Sequence, residues 1–174
     1  MKTSLIIATY NWPAALELVL LSLLKQSRLP DEIIIADDGS TEATKQLIER
    51  YTDKFQCGLH HIWQDDKGFQ KTKILNKAVA KANGDYIIQI DGDILLHKHF
   101  IKDHIHTAKQ GVFIHGSRVF LNKKITKKAF ADLAYHFSIF TIGISNRLNG
   151  IRFPLLSTII SSKNDNLKGT RGCN

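Results

Sequence analysis

Four short strand-like runs, apolar except for the alternating third, each closing on a polar or acidic cluster and each followed by an amphipathic stretch, constrain this chain more than any other feature. Ser4-Leu5-Ile6-Ile7-Ala8 gives way to Thr9-Tyr10-Asn11, and Glu32 to Ala36 gives way to Asp37-Asp38-Gly39-Ser40. Leu59 to Trp63 leads into Gln64-Asp65-Asp66-Lys67-Gly68, and Tyr86 to Ile90 leads into Asp91-Gly92-Asp93. Short apolar runs without alternation suit strands buried on both faces, and strands alternating with helices imply a parallel sheet. The expected fold class is therefore α/β, a doubly wound, mainly parallel sheet with helices on both faces.

The helical stretches carry their own signals. Asn11 is a candidate cap with Pro13 in the first turn, and Leu16, Val19, Leu20, Leu23 and Leu24 form the stripe that follows. Ser40 is the expected cap of a helix running to about Tyr51. A third helix is expected to open near Phe69, to bury Ile74, Leu75, Ala78, Val79 and Ala82, and to end on Gly84 as a left-handed cap. A helix near His99 to Lys109 and a strand from Val112 to Leu121 follow. Beyond Asn122 the pattern predicts a helix from Lys127 to about Arg147, a break at Pro154 and a polar loop from Ser161 to Asn166. The domain organisation expected is a core over 1–121 and a basic, partly helical segment over 122–174.

Charge supports that division. Residues 1–120 hold 15 Lys/Arg against 14 Asp/Glu, a net of +1, whereas 121–174 hold 9 against 2, a net of +7. A basic segment can face nucleic acid, an anionic membrane or an acidic substrate. No nucleic-acid-binding motif accompanies this one, which ranks the membrane or an anionic acceptor first and excludes nucleic acid as an expected partner. A helix carrying Phe130, Leu133, Phe137, Phe140 and Ile144 beside those charges suits the surface of an anionic membrane; packing on the rest of a domain is the competing reading. Cys57 and Cys173 cannot build a disulfide framework, and Met1-Lys2-Thr3 runs directly into an apolar strand. Reduced thiols without a signal peptide predict a cytoplasmic location.

In an open parallel sheet, ligands bind outside the carboxyl ends of the strands, where all four polar clusters fall. Asp91 and Asp93 leave a strand two residues apart and so point the same way. Such a pair suits Mg²⁺ or Mn²⁺, hard cations that keep positions open for phosphate oxygens; an ordinary acidic turn is the alternative. A diphosphate needs further positive charge, and Lys73, one turn into the third helix with Lys71 and Lys77 nearby, is the candidate. His97, His99, His104 and His106 sit at i, i+2 spacings that diverge on a helix, which favours exposed surface over a metal site. Of His60 and His61, neighbours on a strand, one is expected to face solvent.

Ile7-Ala8-Thr9-Tyr10-Asn11, Asp37-Asp38-Gly39-Ser40-Thr41 and Tyr86 to Asp93 together resemble the family 2 inverting glycosyltransferases, which have the GT-A fold. The resemblance covers residues 3 to about 121. It implies a nucleoside-diphosphate sugar donor, a UDP-sugar foremost, and a divalent Mn²⁺ or Mg²⁺. The acceptor it implies is a hydroxyl on a glycan or lipid-linked carrier, such as a bacterial surface polysaccharide or lipooligosaccharide. By the same resemblance Thr9 and Tyr10 border the base, Asp38 hydrogen-bonds it, and Asn11 and Asp66 belong to the nucleotide-sugar pocket. Asp91 lies near the ribose or sugar and, with Asp93, at the metal, while Lys73 faces the diphosphate. Gly116-Ser117-Arg118 resembles a strand segment on the acceptor side of a bacterial subgroup.

The general base of the family, an acid heading a helix after a segment like Gly169-Thr170-Arg171-Gly172-Cys173-Asn174, is expected beyond Asn174. Asp132 and Asp165, the acids that follow Asp103, match no such context. A donor-binding fragment without catalysis is therefore the principal alternative to a transferase. A phosphatase of the haloacid-dehalogenase type is weaker, because its Asp-X-Asp follows the first strand. A nicotinamide dehydrogenase is weaker still, because Thr9 to Pro13 contains no glycine.

Overall fold

The computed structural model of the protein describes residues 1–152. The chain divides into two compact units, Met1–Ala108 and Lys109–Asn174, so the expected division at 121/122 falls inside the second.

In the first unit a four-stranded sheet has the order β3-β2-β1-β4, every pair parallel. The strands are β1 (Thr3–Thr9), β2 (Glu32–Asp37), β3 (Leu59–Trp63) and β4 (Tyr86–Asp91). The two most apolar runs take the centre, and every residue of β1 and β2 is buried. Side-chain alternation then sorts the helices. Leu5, Ile7, Ile33, Ile35, Ile88 and Ile90 pack on one face against α1 (Pro13–Leu24), α2 (Glu42–Thr52) and Ile101 of α4 (Phe100–Thr107). Ile6, Ile34 and Ala36 pack on the other against Ile74 and Ala78 of α3 (Lys71–Lys81). The doubly wound, mainly parallel architecture expected from the sequence is the one observed.

The local signals needed more correction than the architecture. Trp12, not Asn11, precedes α1, and Thr41, not Ser40, precedes α2; neither caps with its side chain. Asn11 and Ser40 spend their polar groups on each other's loops instead. The third helix opens at Lys71 rather than near Phe69 and ends with Ala82 extended. Gly84 therefore caps nothing; it lies so close to β1 that a Cβ there would fall 2.5 Å from Ser4 Oγ. Val79 is exposed, at the margin of the α3 stripe. Strand β4 is a sheet edge, with Ile87 and Gln89 exposed, so its carboxylates do not leave a fully buried strand.

Among the described residues of the second unit, β5 (Phe120–Leu121) pairs antiparallel with β6 (Ile144–Ser145), and the rest of the expected strand from Val112 is unpaired. The basic helix is α5, Lys123–Asp132, not 127–147. Asn122 Oδ1 accepts the N–H of Ile125 and starts it early, and Leu133 in the left-handed region stops it. The aromatic and β-branched residues beyond have weak helix propensity. A short 3-10 turn, Arg147–Gly150, follows β6. Pro154, Asp165, Cys173 and the stretches 161–166 and 169–174 lie outside the described residues.

Candidate functional site

The chain runs from β1 through α1 to β2 on one side and returns through α3 to β4 on the other, so the strand order reverses between β1 and β4. Crevices form at such switch points, at the carboxyl ends of the strands. Thr9, Tyr10 and Asn11 leave β1 here, and Asp91, Gly92 and Asp93 leave β4 beside them. The Gly92 N–H donates to Ala8 O at 2.7 Å, and a Cβ on Gly92 would sit 2.9 Å from that oxygen, so only glycine lets the two ends close up.

A continuous rim of hydrogen bonds joins the four strand ends. Asp38 N–H donates to Thr9 O (3.0 Å), Asn11 N–H to Ser40 Oγ (2.8 Å), and Thr41 N–H to Asn11 Oδ1 (2.8 Å). Asn11 itself has φ 45°, a left-handed turn that asparagine tolerates. Tyr10, half-exposed, donates its hydroxyl to Asp66 Oδ2 across the crevice at 2.9 Å. Gly39, at φ 98°, lets the loop after β2 approach Asp66, whose Cα would lie 2.6 Å from any Cβ there.

The two aspartates at the end of β2 are almost wholly buried, and every one of their carboxylate oxygens accepts a hydrogen bond. Asp37 accepts the Ser40 N–H on Oδ1 and pairs with His61 Nε2 through Oδ2 at 2.9 Å. His60, its neighbour, faces solvent as expected. Asp38 accepts Gln64 Nε2 on Oδ1 at 2.6 Å and the Gln70 N–H on Oδ2 at 2.8 Å, tying β2 to the segment that leads into α3. Each carboxylate oxygen has two lone pairs, so Asp38 retains acceptor capacity for a ligand N–H.

At the switch point, Lys71 Nζ lies 2.6 Å from Asp91 Oδ1, both side chains largely buried. Asp93, exposed, makes no hydrogen bond or ion pair among the described residues. Lys73 points elsewhere: with Trp63, Gln64, Asp65, Lys67 and Lys77 it lines a shallow cleft of about 220 Å³ along the β3 edge. The structure therefore gathers Thr9, Tyr10, Asn11, Asp38, Asp66, Asp91 and Asp93 along one strand-end rim, and puts Lys71 on Asp91. Lys71, Gln64 and Gln70 were missed as participants. Opening α3 at Lys71 rather than Phe69 is what turns Lys71 to the strand tip, and the clue was Gln70-Lys71 following the Gly68 turn.

The histidines fit the structural reading. His104 Nδ1 lies 3.0 Å from Tyr86 OH, and burial lowers its pKa while pushing the Tyr86 hydroxyl up. His99 Nδ1 lies 2.8 Å from Ser27 Oγ. No three His, Cys, Asp or Glu side chains among the described residues converge on one point. The donor set at the switch point is two carboxylates, which fits a divalent ion that takes its remaining ligands from phosphate and water. Burial raises the pKa of the Cys57 thiol, consistent with an unreactive side chain. Asp132 ends α5 in the second unit and is exposed; Gly116-Ser117-Arg118 there is not a strand, and the Arg118 guanidinium rests 5.1 Å from the Phe120 ring.

The family model of glycosyl transferase family 2 matches residues 4–162. The chain belongs to glycosyl transferase family 2. It is 31% identical over 105 residues to the poly(ribitol-phosphate) beta-N-acetylglucosaminyltransferase TarS of Staphylococcus aureus, covering 59% of this chain and 18% of TarS. It is 35% identical over 92 residues to the hyaluronan synthase of Pasteurella multocida, covering 52% of this chain and 9% of the synthase. The crystal structure of TarS 1-349 in complex with UDP-GlcNAc superposes with a TM-score of 0.55 at 31% identity, over 61% of this chain and 30% of that one. A further structure of the same TarS fragment holds UDP, at a TM-score of 0.52. The chain thus spans less than a quarter of the length of these two curated relatives. Its fold is the GT-A fold of the family, which sets aside the phosphatase and dehydrogenase readings.

Proposed function

We propose that this chain binds a nucleoside-diphosphate sugar, UDP-linked, at the β1/β4 switch point and serves its transfer with inversion to a glycan or lipid-linked hydroxyl. The observation that carries the reading is the largely buried Lys71–Asp91 pair beside the carboxylate of Asp93, unbonded among the described residues, at the crevice where a parallel sheet binds ligands. The UDP and UDP-GlcNAc complexes of TarS support the choice of donor.

In this reading the base lies against Tyr10, with its N–H directed to Asp38, whose position Gln64 and Gln70 fix. Asp91 orients the ribose or sugar, and Lys71, already at that carboxylate, supplies the positive charge that the diphosphate requires. Asp93, with Asp91, holds the Mn²⁺ or Mg²⁺, which when bound offsets charge on the departing diphosphate. Lys73, on the β3-edge cleft, is replaced by Lys71 in the diphosphate role.

Calorimetric titration with UDP, GDP and CDP, each with and without Mn²⁺, tests this directly. Metal-enhanced binding that prefers UDP is the expected result. Indifference to nucleotide and metal alike overturns it.

A further inference from the structure

We propose that the second unit docks on an anionic lipid bilayer through the loop between α5 and β6 and the lysine face of α5. This stands apart from donor binding, since none of the residues involved belongs to the switch-point site. It also differs from the helix expected from the sequence, which does not form.

The loop presents Phe140 at 79% and Ile142 at 90% exposure, and Leu148 after β6 is 82% exposed. Two hydrogen bonds fix these residues beside the start of α5 and beside each other. The Asn122 N–H donates to Gly143 O at 3.0 Å, and Arg147 Nη2 reaches Thr141 O at 3.4 Å. The Asn122 cap launches α5 from that point, so Lys123 and Lys124 lie next to the apolar tip. Lys123, Lys124, Lys127 and Lys128 are all exposed, and helical spacing spreads them over one arc opposite the buried Ala129.

Exposed apolar side chains beside a helix face of lysines match the two layers of a membrane interface. The tip enters the acyl boundary while the ammonium groups meet anionic headgroups. Residues 109–152 hold eight Lys/Arg against one acid, a net of +7, and 153–174 add three Lys/Arg against one acid. Two acids against eleven Lys/Arg over 109–174 leave the second unit with no charge of its own to match the lysine face. Two of the three tip residues, Ile142 and Leu148, are aliphatic and suit an acyl boundary rather than base stacking.

The test is sedimentation of the full chain with phosphatidylcholine vesicles, with vesicles containing phosphatidylglycerol, and with single-stranded RNA as competitor. Binding is expected to the anionic vesicles only, to fall with added salt, and to resist RNA. Quadruple Lys→Gln substitution at 123, 124, 127 and 128 is expected to reduce partitioning at least about tenfold, each lysine near the surface being worth roughly fivefold. F140S with I142S is expected to reduce it comparably and to leave a salt-sensitive remnant. Both variants alter exposed side chains, and unchanged circular dichroism and UDP binding confirm that they fold. No binding to anionic vesicles, binding untouched by both variants, or displacement by RNA each overturns the proposal.

Discussion

Lys71 Nζ and Asp91 Oδ1 stand 2.6 Å apart, one from the first turn of α3 and the other from the last residue of β4. The pair ties the helix that packs over β1 and β2 to the tip of the edge strand β4. Its burial makes it stronger than a surface bridge, yet leaves the ammonium able to reach a ligand oxygen. K71Q keeps the aliphatic stem and removes the charge. It is expected to weaken UDP binding in the presence of Mn²⁺ by about tenfold, the loss of one charge-assisted contact. Calorimetry reads this, and K73Q serves as the comparison. A larger loss from K73Q than from K71Q returns the diphosphate role to Lys73.

Asp93 is exposed and unbonded among the described residues, so its carboxylate has no structural duty to lose. D93A is accordingly expected to leave thermal stability within about 0.5 kcal/mol of the parent. The Mn²⁺ enhancement of UDP binding is expected to vanish with it, while metal-free affinity persists. Retained metal enhancement in D93A places the ion elsewhere.

Acid is expected to destabilise the amino end of the sheet first. The Thr3 N–H beside Asp31, helped by the Thr3 hydroxyl and the nearby Arg28 and Lys2, lowers that carboxyl's pKa against the opposing effect of burial. Burial pushes Glu32 up, but hydrogen bonds from the Ser4 hydroxyl and from Asn83 outweigh it, and its pKa too lies below the ordinary value. Carboxyls whose folded pKa is depressed stabilise the fold above the unfolded pKa and lose that contribution as pH falls through the folded one. The urea midpoint is therefore expected to hold from pH 7 to about 5 and to fall below about pH 4. E32Q is expected to flatten that fall, and an unchanged slope in E32Q removes Glu32 from the account.

The sheet, the faces of its helices and the four strand-end clusters were readable because they rest on period and position. β1 and β2 are apolar throughout, and Leu16, Val19, Leu20 and Leu23 recur at helical spacing. Cap residues were misread because Asn11 and Ser40 look like local caps but bond across loops, a tertiary choice that no window of sequence contains. The exposure of Ile87 was hidden for the same reason, since an edge strand and a central one can share a composition. Lys71 and Lys73 differ by two residues on one helix, so where that helix starts decides which of them lies at the strand tip. In the second unit, local pattern suggested a long strand and a long helix, but pairing and a left-handed Leu133 shortened both.

Asp38 ties β2 to the segment before α3 and, in the proposed function, recognises the base; its amide isostere separates the two. Its carboxylate takes Gln64 Nε2 on one oxygen and the Gln70 N–H on the other, while Gln64 Oε1 is buried with no hydrogen-bond partner among the described residues. D38A strands both donors, and is expected to cost about 1–3 kcal/mol of stability as well as nucleotide affinity. D38N presents an oxygen to Gln70 and an NH₂ group to Gln64. A flip of the Gln64 amide then brings the orphaned Oε1 round to accept from that NH₂, exchanging one unsatisfied buried atom for another. D38N is therefore expected to keep its urea midpoint within about 1 kcal/mol of the parent. Recognition of a base N–H is a different matter, because a neutral carbonyl replaces a carboxylate and the charge-assisted part of the bond is lost. UDP affinity in D38N is expected to drop about tenfold with the fold intact. Parent-like UDP binding by D38N, beside a destabilised D38A, makes Asp38 a staple between β2 and α3 and removes it from the base.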